Sequence, residues 1–173
     1  MSDRLAEVFE QRYAELVRLA GRILGDRAEA EDVAQEALSK LSGHPVLRRP
    51  DAEIGAWLRR VSINASFNRV RGRRRGTDRV QRAAAADRPL RATEASGPLA
   101  QVVRAEERAA VRAALAHLPE RQRACLLLRH SGYRYAEIAA TLDIAEGSVG
   151  VLLARGERAF RTHYEQGMTD GVE

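Results

Sequence analysis

Arginine is the side chain of this sequence with the clearest chemical use. The chain has 29 lysine and arginine residues, of which Lys40 is the only lysine, and its formal net charge is +5. Many of the arginines are concentrated between Arg69 and Arg82. The planar guanidinium suits phosphate oxygens and base edges, so this cluster is typical of a protein that binds nucleic acid. A bias in genomic base composition and a solvated charge run are the alternative explanations.

The sequence lacks the patterns of catalytic and metal-binding chemistry. Its four histidines have no paired ligand spacing, and neither a glycine-rich phosphate loop nor a nucleophile motif occurs. The one cysteine, Cys125, lies in an apolar run and is expected to be a small core residue. We therefore expect a protein that is not an enzyme, with no catalytic residue, no metal and no cofactor. No signal core or membrane-length apolar stretch occurs, which predicts a cytoplasmic protein without membrane insertion.

Helices must position these side chains, because alanine, leucine, arginine and glutamate dominate and aromatic residues are few. Apolar residues recur every three or four positions in three N-terminal segments, which are residues 4–24, 26–41 and 54–71. Gly25 is expected to end the first helix, and Asp26 with Glu29 has the capping-box spacing that starts the second. Residues 42–53 are expected to form a loop. The three helices are predicted to close one small core around Trp57.

The periodicity breaks after the third helix and resumes later. Residues 76–98 have no apolar face and are rich in alanine, arginine and proline, which predicts a flexible linker. This linker would join one domain at residues 1–75 to another at residues 99–173. The predicted fold class is therefore all-α, with two small helical domains joined by a flexible linker, the C-terminal one a helix-turn-helix.

The helix-turn-helix prediction rests on residues 135–149, YAEIAATLDIAEGSV. Ala139 is small where two helices would cross, Ile138 would face the core, and Ile144 would anchor the turn. The second helix, from Glu146 to about Tyr164, would then place its first residues in a major groove of DNA. A plain helical hairpin is the alternative interpretation.

Several sequence blocks in a fixed order carry a resemblance to a known family. LPERQR at residues 118–123, LLLR at 126–129 and the helix-turn-helix are similar to the fourth domain of bacterial sigma factors of the extracytoplasmic-function (ECF) group. AEDVAQE at residues 30–36 and AWLRRVSIN at 56–64 independently resemble the second domain of the same group. The resemblance implies a transcription initiation factor that binds core RNA polymerase, directs it to specific promoters and helps DNA melting.

The resemblance implies a polymerase-binding surface on the second helix, which docks on the clamp helices of the largest subunit. The residues of this chain that match or adjoin that surface are Glu29, Asp32, Gln35 and Glu36. An acidic, polar stripe suits a basic partner helix, although a solvated helix face is the usual alternative. The polymerase flap and an anti-sigma factor are further partners that the resemblance implies.

The third helix and the loop before it are implied to hold the melted minus-ten element of the promoter. The candidate residues are Arg60, Asn64, Phe67, Asn68, Arg69 and Arg71. Arginine and asparagine can contact phosphates and base edges, which offsets the free energy of unstacking a base. Members of the group often have an aromatic residue before the tryptophan, where this chain has Ile54-Gly55-Ala56. Trp57 itself is expected to be a core residue and not a base-stacking one.

The second helix of the helix-turn-helix is implied to contact the minus-thirty-five element. The candidates there are Ser148, Val151, Arg155 and Arg158. The group usually has a lysine and an arginine where this chain has Gly150 and Leu152, so two side chains that would contact DNA are missing.

A stand-alone helix-turn-helix regulator, dimeric on palindromic DNA, is the main competing interpretation. It does not explain the blocks at residues 30–36 and 56–64. A third interpretation is an adaptor that has kept the fold and lost promoter recognition.

Overall fold

All the regular structure that the computed structural model describes is helical. Its description covers residues 2–77 and 98–170. The chain divides into two compact units, Met1–Leu90 and Arg91–Glu173. The all-α fold class is thus confirmed, whereas the predicted linker lies almost wholly outside the described residues.

Residues 2–77 of the first unit form three α-helices, with a short 3₁₀ turn between the second and the third. Its elements are α1 (Ser2–Leu24), α2 (Arg27–Leu41), the 3₁₀ turn (Pro45–Arg48) and α3 (Asp51–Thr77). Both α1 and α2 pack on α3, and α1 also packs on α2. This packing is what holds the exposed faces of α2 and α3 next to each other.

The core of the first unit is made of aliphatic side chains from all three helices. Leu16, Leu41 and Leu58 are fully buried. Burying each such side chain contributes about 1.5–3 kcal/mol relative to leaving it exposed. Trp57 is only half-buried at the margin of this core, where its ring lies 4.4 Å from that of His44. The core is therefore centred on leucines and not on the tryptophan.

The junction between α1 and α2 follows the predicted chemistry in part. Gly25 has a φ of 74°, which permits the left-handed stop. The Asp26 carboxylate accepts a hydrogen bond from the Glu29 amide at 2.9 Å and so caps α2. The Glu29 side chain does not complete the capping box, because its carboxylate lies 3.4 Å from Arg73 on α3. The Glu29 side chain thus makes a contact between α2 and α3 in place of a cap within α2.

The prediction of a loop at residues 42–53 is wrong in two places. Pro45 begins the 3₁₀ turn, since proline suits a first helical turn, and the His44 ring accepts a hydrogen bond from the Val46 amide. α3 begins at Asp51, three residues before the first apolar residue of its periodic pattern. The carbonyl oxygen of Pro50 accepts hydrogen bonds from the Glu53 and Ile54 amides, which fixes this earlier start.

The described residues of the second unit, 98–170, form four helices, and the last two of these are the predicted helix-turn-helix. The elements are α4 (Pro98–Ala116), α5 (Glu120–His130), α6 (Tyr135–Leu142) and α7 (Glu146–Asp170). α6 has the predicted bounds, and the turn after it places Asp143 in the left-handed region with a φ of 56°. α7 continues six residues beyond Tyr164, where the prediction ended it.

The core of the second unit takes buried side chains from α5, α6 and α7. Cys125, Leu128, Ile138 and Val149 are fully buried, which places Cys125 in the core as predicted. The Cys125 thiol lies 3.8 Å from the carbonyl oxygen of Val149, so α5 and α7 are in close contact there. Burial raises the pKa of the Cys125 thiol to about 11, because the thiolate would lose its hydration.

Candidate nucleic-acid and protein interfaces

The exposed side of α2 is acidic and polar. Asp32 has 67% of its side chain exposed and Glu36 has 45%, and Gln35 between them is exposed as well. Glu29 lies one turn before Asp32 and is partly exposed. We call these four residues, Glu29, Asp32, Gln35 and Glu36, the acidic face. The opposite side of α2 is buried in the core, so this face is rigidly held.

Two arginines of α3 lie against the acidic face. Arg69 places its Nη1 3.8 Å from Asp32 Oδ2 and its Nη2 3.5 Å from Glu36 Oε2. Its Nη1 also donates a hydrogen bond to the Glu29 carbonyl oxygen at 3.3 Å. Arg73 lies 3.4 Å from Glu29 Oε2 and donates to the Leu24 carbonyl oxygen at 3.3 Å. The acidic face and the arginine cluster, which the sequence suggested as separate sites, thus meet along the α2–α3 boundary.

Two cations stabilise the negative charge of Glu36 in the acidic face. Lys40 donates a hydrogen bond to its Oε1 at 2.7 Å, and Arg69 adds a second positive charge. These two partners lower the pKa of Glu36 below its ordinary value, the hydrogen bond from Lys40 being the larger cause. Glu36 therefore carries its negative charge at neutral pH.

An open groove of about 500 Å³ lies between α2 and α3. Its lining combines charged and amide side chains with two small apolar ones, and consists of Glu36, Lys40, Val61, Asn64, Ala65, Asn68 and Arg69. Asn64 and Asn68 are exposed and one helical turn apart, so both amides face the groove. Such amides can donate and accept hydrogen bonds at the edge of a base. Arg71 donates a hydrogen bond to Asn68.

One of the six candidates on α3 is placed differently from the prediction. Phe67 is only 2% exposed and belongs to the core, so its assignment as a DNA contact is wrong for this conformation. Arg69 does line the groove, but its guanidinium is engaged by α2. Arg60 is half-buried and Arg71 is exposed.

The stretch Ile54-Gly55-Ala56 belongs to the beginning of α3 and is buried. A Cβ on Gly55 would lie 3.1 Å from Arg59 Nη1 and 3.4 Å from Arg12 Cζ. The two guanidinium groups therefore occupy space that a side chain at this position would need. Arg59 is buried and lies 3.1 Å from Glu15 Oε1 of α1. The Glu15–Arg59 ion pair thus packs beside Gly55, where a larger side chain would have to push the guanidinium ends aside.

The N-terminal part of α7 presents the other candidate DNA surface. Ser148, Val151, Arg155 and Arg158 are all exposed, and their spacing of three and four residues places them on one helical face. Val151 is 51% exposed, which leaves an apolar contact beside the two arginines. A Cβ on Gly150 would lie 3.8 Å from the Tyr135 ring, which is ordinary contact, so a side chain would fit there.

Within the described parts of the chain, no cluster of histidine, cysteine and acidic residues could hold a metal ion. In those same parts, no helix has both the length and the apolar character to cross a bilayer.

Comparison with known proteins decides the family. The family model of sigma-70 region 2 matches residues 8–76, and that of sigma-70 region 4 matches residues 108–169. The ECF RNA polymerase sigma factor SigL of Mycobacterium tuberculosis is 33% identical over 165 residues, which are 94% of this chain and 90% of SigL. SigM of the same species is 32% identical over 157 residues, 88% of this chain and 74% of SigM.

This chain belongs to the ECF RNA polymerase sigma factors. It is accordingly a transcription initiation factor, one that directs RNA polymerase to promoters. A stand-alone regulator is not favoured, because both sigma regions are matched and not the helix-turn-helix alone.

Solved structures show the same fold. The sigma factor RpoE of Bartonella quintana, crystallised with the anti-sigma factor NepR, aligns with a TM-score of 0.63 at 20% identity, covering 92% of this chain and 96% of RpoE. CnrH, solved with the cytosolic domain of CnrY, aligns with a TM-score of 0.58 at 18% identity, covering 98% of this chain and 89% of CnrH.

Sequence reasoning missed the contacts of three residues of this sigma factor. Lys40 and Arg73 both contact the acidic face, and Arg59 is a buried partner of Glu15. Lys40 follows Glu36 by four residues, a spacing that favours ion pairs on a helix and could have been noticed. Neither arginine gave such a signal, because each partner lies more than forty residues away in the sequence.

Proposed function

We propose that this sigma factor binds core polymerase through the acidic face of α2. The observation that carries the proposal is the exposure of Asp32, Gln35 and Glu36 on one side of a helix whose other side is buried. A fixed row of carboxylates complements a basic helix on the polymerase clamp. Family membership supports this choice, since the same residues match the polymerase-binding block of the group.

The groove between α2 and α3 then receives the melted minus-ten element. Asn64 and Asn68 are the groove's base-contacting residues in this proposal, with Arg60 and Arg71 on nearby phosphates. The exposed face of α7, through Ser148, Val151, Arg155 and Arg158, contacts the minus-thirty-five element. With no lysine at Gly150, this contact relies on arginine–phosphate pairs and on apolar contact with thymine methyl groups.

Further assignments follow from the same proposal. The protein acts in the cytoplasm, where polymerase and chromosome are, and works as a binding factor with no catalysis of its own. A structure of similar fold, that of RpoE, was solved with an anti-sigma factor, which supports an anti-sigma factor as the regulator of this chain.

Transcription in vitro with core polymerase tests the proposed function. Fragmented genomic DNA of the source bacterium is transcribed with and without the purified chain, and the 5′ ends of the transcripts are sequenced. We expect a set of start sites that depends on the chain and shares upstream sequence elements. Core binding without such start sites would favour the adaptor interpretation, and absence of core binding would refute the proposal.

Charge reversal tests the acidic face itself. The double variant Asp32→Arg/Glu36→Arg should weaken binding to core polymerase by well over tenfold, since repulsion replaces attraction at two positions. Glu31→Arg is the matched control, because Glu31 is on the same helix and is paired with Arg27 outside the face. Affinity is measured by fluorescence titration, and far-UV circular dichroism checks the fold. Equal affinity of the double variant and the control would remove these residues from the interface.

A further inference from the structure

Arg69 belongs to both candidate surfaces of the first unit. Its side chain is one-third exposed and lines the groove that contains Asn64 and Asn68. The same guanidinium contacts Asp32 and Glu36 of the acidic face. The Arg69 guanidinium therefore lies between the residues proposed for polymerase and those proposed for DNA, as does Lys40, which lines the groove and donates to Glu36.

The contacts that hold Arg69 can be replaced by contacts with other groups. Its distances to the two carboxylates, 3.8 and 3.5 Å, are long for ion pairs, and its hydrogen bond to the Glu29 carbonyl oxygen is 3.3 Å. Both carboxylates are substantially exposed, and exposed ion pairs contribute little net stability. A basic partner that approaches Asp32 and Glu36 competes directly for the acceptors of Arg69. The phosphates of a nucleic acid in the groove are the alternative acceptors for the released guanidinium.

Arg73 differs from Arg69 in ways that make it a fixed contact. It pairs with Glu29 and donates to the Leu24 carbonyl oxygen at the end of α1, so it ties α3 to both other helices. It is not among the residues that line the groove. The exchange argument therefore applies to Arg69 alone of these two arginines.

We propose that Arg69 couples the two surfaces: Asp32 and Glu36 hold its guanidinium in the free protein, and a basic polymerase helix that takes those carboxylates releases it to DNA phosphate in the groove. The inference rests on the proposed function of the acidic face and the groove. It assigns to Arg69 a role that neither surface has by itself, since polymerase binding then adds a cation to the DNA site.

Neutralising the carboxylates in the free protein imitates the release. A short fluorescein-labelled single-stranded DNA of mixed sequence is titrated at a series of KCl concentrations. The variant Asp32→Asn/Glu36→Gln should bind it more tightly and show a salt slope steeper by about 0.7, the value for one additional phosphate contact on single-stranded DNA. In an Arg69→Gln background, the same two changes should leave the slope unaltered.

The control separates release of Arg69 from a general change of charge. Glu31→Gln removes one charge from the same helix, and Glu31, like Glu36, is paired with a cation four residues away. Its slope should equal that of the wild-type chain. The coupling would be overturned if Glu31→Gln also had a steeper salt slope, or if the double variant kept its steeper slope in the Arg69→Gln background. Either result would mean that the lost negative charge acts only through the overall electrostatic field of the protein.

The complex with core polymerase provides a second measurement. Arg69→Gln should reduce affinity for the same DNA by a larger factor in the polymerase complex than in the free chain. Equal factors in the two forms would refute the inference even where the chain binds polymerase and supports transcription. Failure of the wild-type chain to bind polymerase would instead refute the proposed function, while the salt slopes of the free protein still test the release.

Discussion

Gly156 lies where α7 crosses α5, and the structure gives a reason for a glycine inside this helix. A Cβ there would lie 3.1 Å from Leu126 Cδ1, 3.2 Å from Leu126 Cγ and 3.4 Å from Gln122 Cβ. Leu126 is buried, and its Cγ is close to the backbone, so it cannot swing aside easily. Gly167 of the same helix has no neighbour within 4 Å of a built Cβ.

The two glycines should therefore respond oppositely to alanine. Gly156→Ala gains about 1 kcal/mol of helix propensity but overpacks the crossing, which costs about 1–3 kcal/mol, so a net loss is expected. Gly167→Ala should stabilise by up to about 1 kcal/mol, because only the propensity changes. Urea unfolding followed by circular dichroism measures both. Stabilisation by Gly156→Ala would show that the α5–α7 contact yields without strain.

Exposure of individual site residues was predictable only where helical spacing alone determines it. Ser148, Arg155 and Arg158 are exposed as their three- and four-residue spacing indicates. Phe67 lies between Asn64 and Asn68 in the sequence of α3, yet it is buried whereas they are exposed. The burial of Phe67 depends on where α3 packs against the other helices, and the sequence pattern of α3 alone does not give that position.

Helix ends with local chemistry were predictable, and those decided by packing were not. The stop at Gly25, the Asp26 cap and the bounds of α6 all follow from a few neighbouring residues. The last six residues of α7 lack an equally local signal. The pairing of Arg69 with α2 was also out of reach, because it requires the relative placement of two helices.

The ion pair of Glu15 and Arg59 is a largely buried polar contact between α1 and α3 in the first unit. Arg59 has 5% of its side chain exposed and Glu15 has 18%, and Arg12 lies 3.0 Å from the other oxygen of Glu15. Removing the carboxylate leaves buried positive charge without its counter-charge, whereas exposed pairs lose little on truncation.

Glu15→Ala should therefore lower the free energy of unfolding by about 3 kcal/mol, near the low end of the range for a broken buried pair. Glu31→Ala, which breaks the exposed pair with Arg27, should cost less than about 1 kcal/mol. Thermal melts of both variants provide the comparison. Similar losses for the two would mean that water reaches Arg59 readily.

Each of the two units has its own buried residues and its own helix contacts. Leu16, Leu41 and Leu58 are buried in the first unit, and Leu128, Ile138 and Val149 in the second. Since a domain needs its own core to fold alone, both units meet that condition. The two-domain organisation expected from the sequence is thus mirrored by two separate sets of buried side chains.

Fragments cut between the units should accordingly fold independently. Residues 1–90 and 91–173, produced separately, should give far-UV circular dichroism spectra whose sum matches that of the whole chain. Each should unfold in a single cooperative transition, as small single domains usually do. A fragment that lacks a helical spectrum would show that its core needs the rest of the chain.

The burial of Cys125 gives the protein an internal reporter of motion. It is the only cysteine of the chain and belongs to the second unit. A thiol with no exposed surface and a pKa of about 11 reacts with an alkylating reagent only after the helices around it open. The rate of its labelling therefore follows openings of the second unit alone, while the first unit gives no signal.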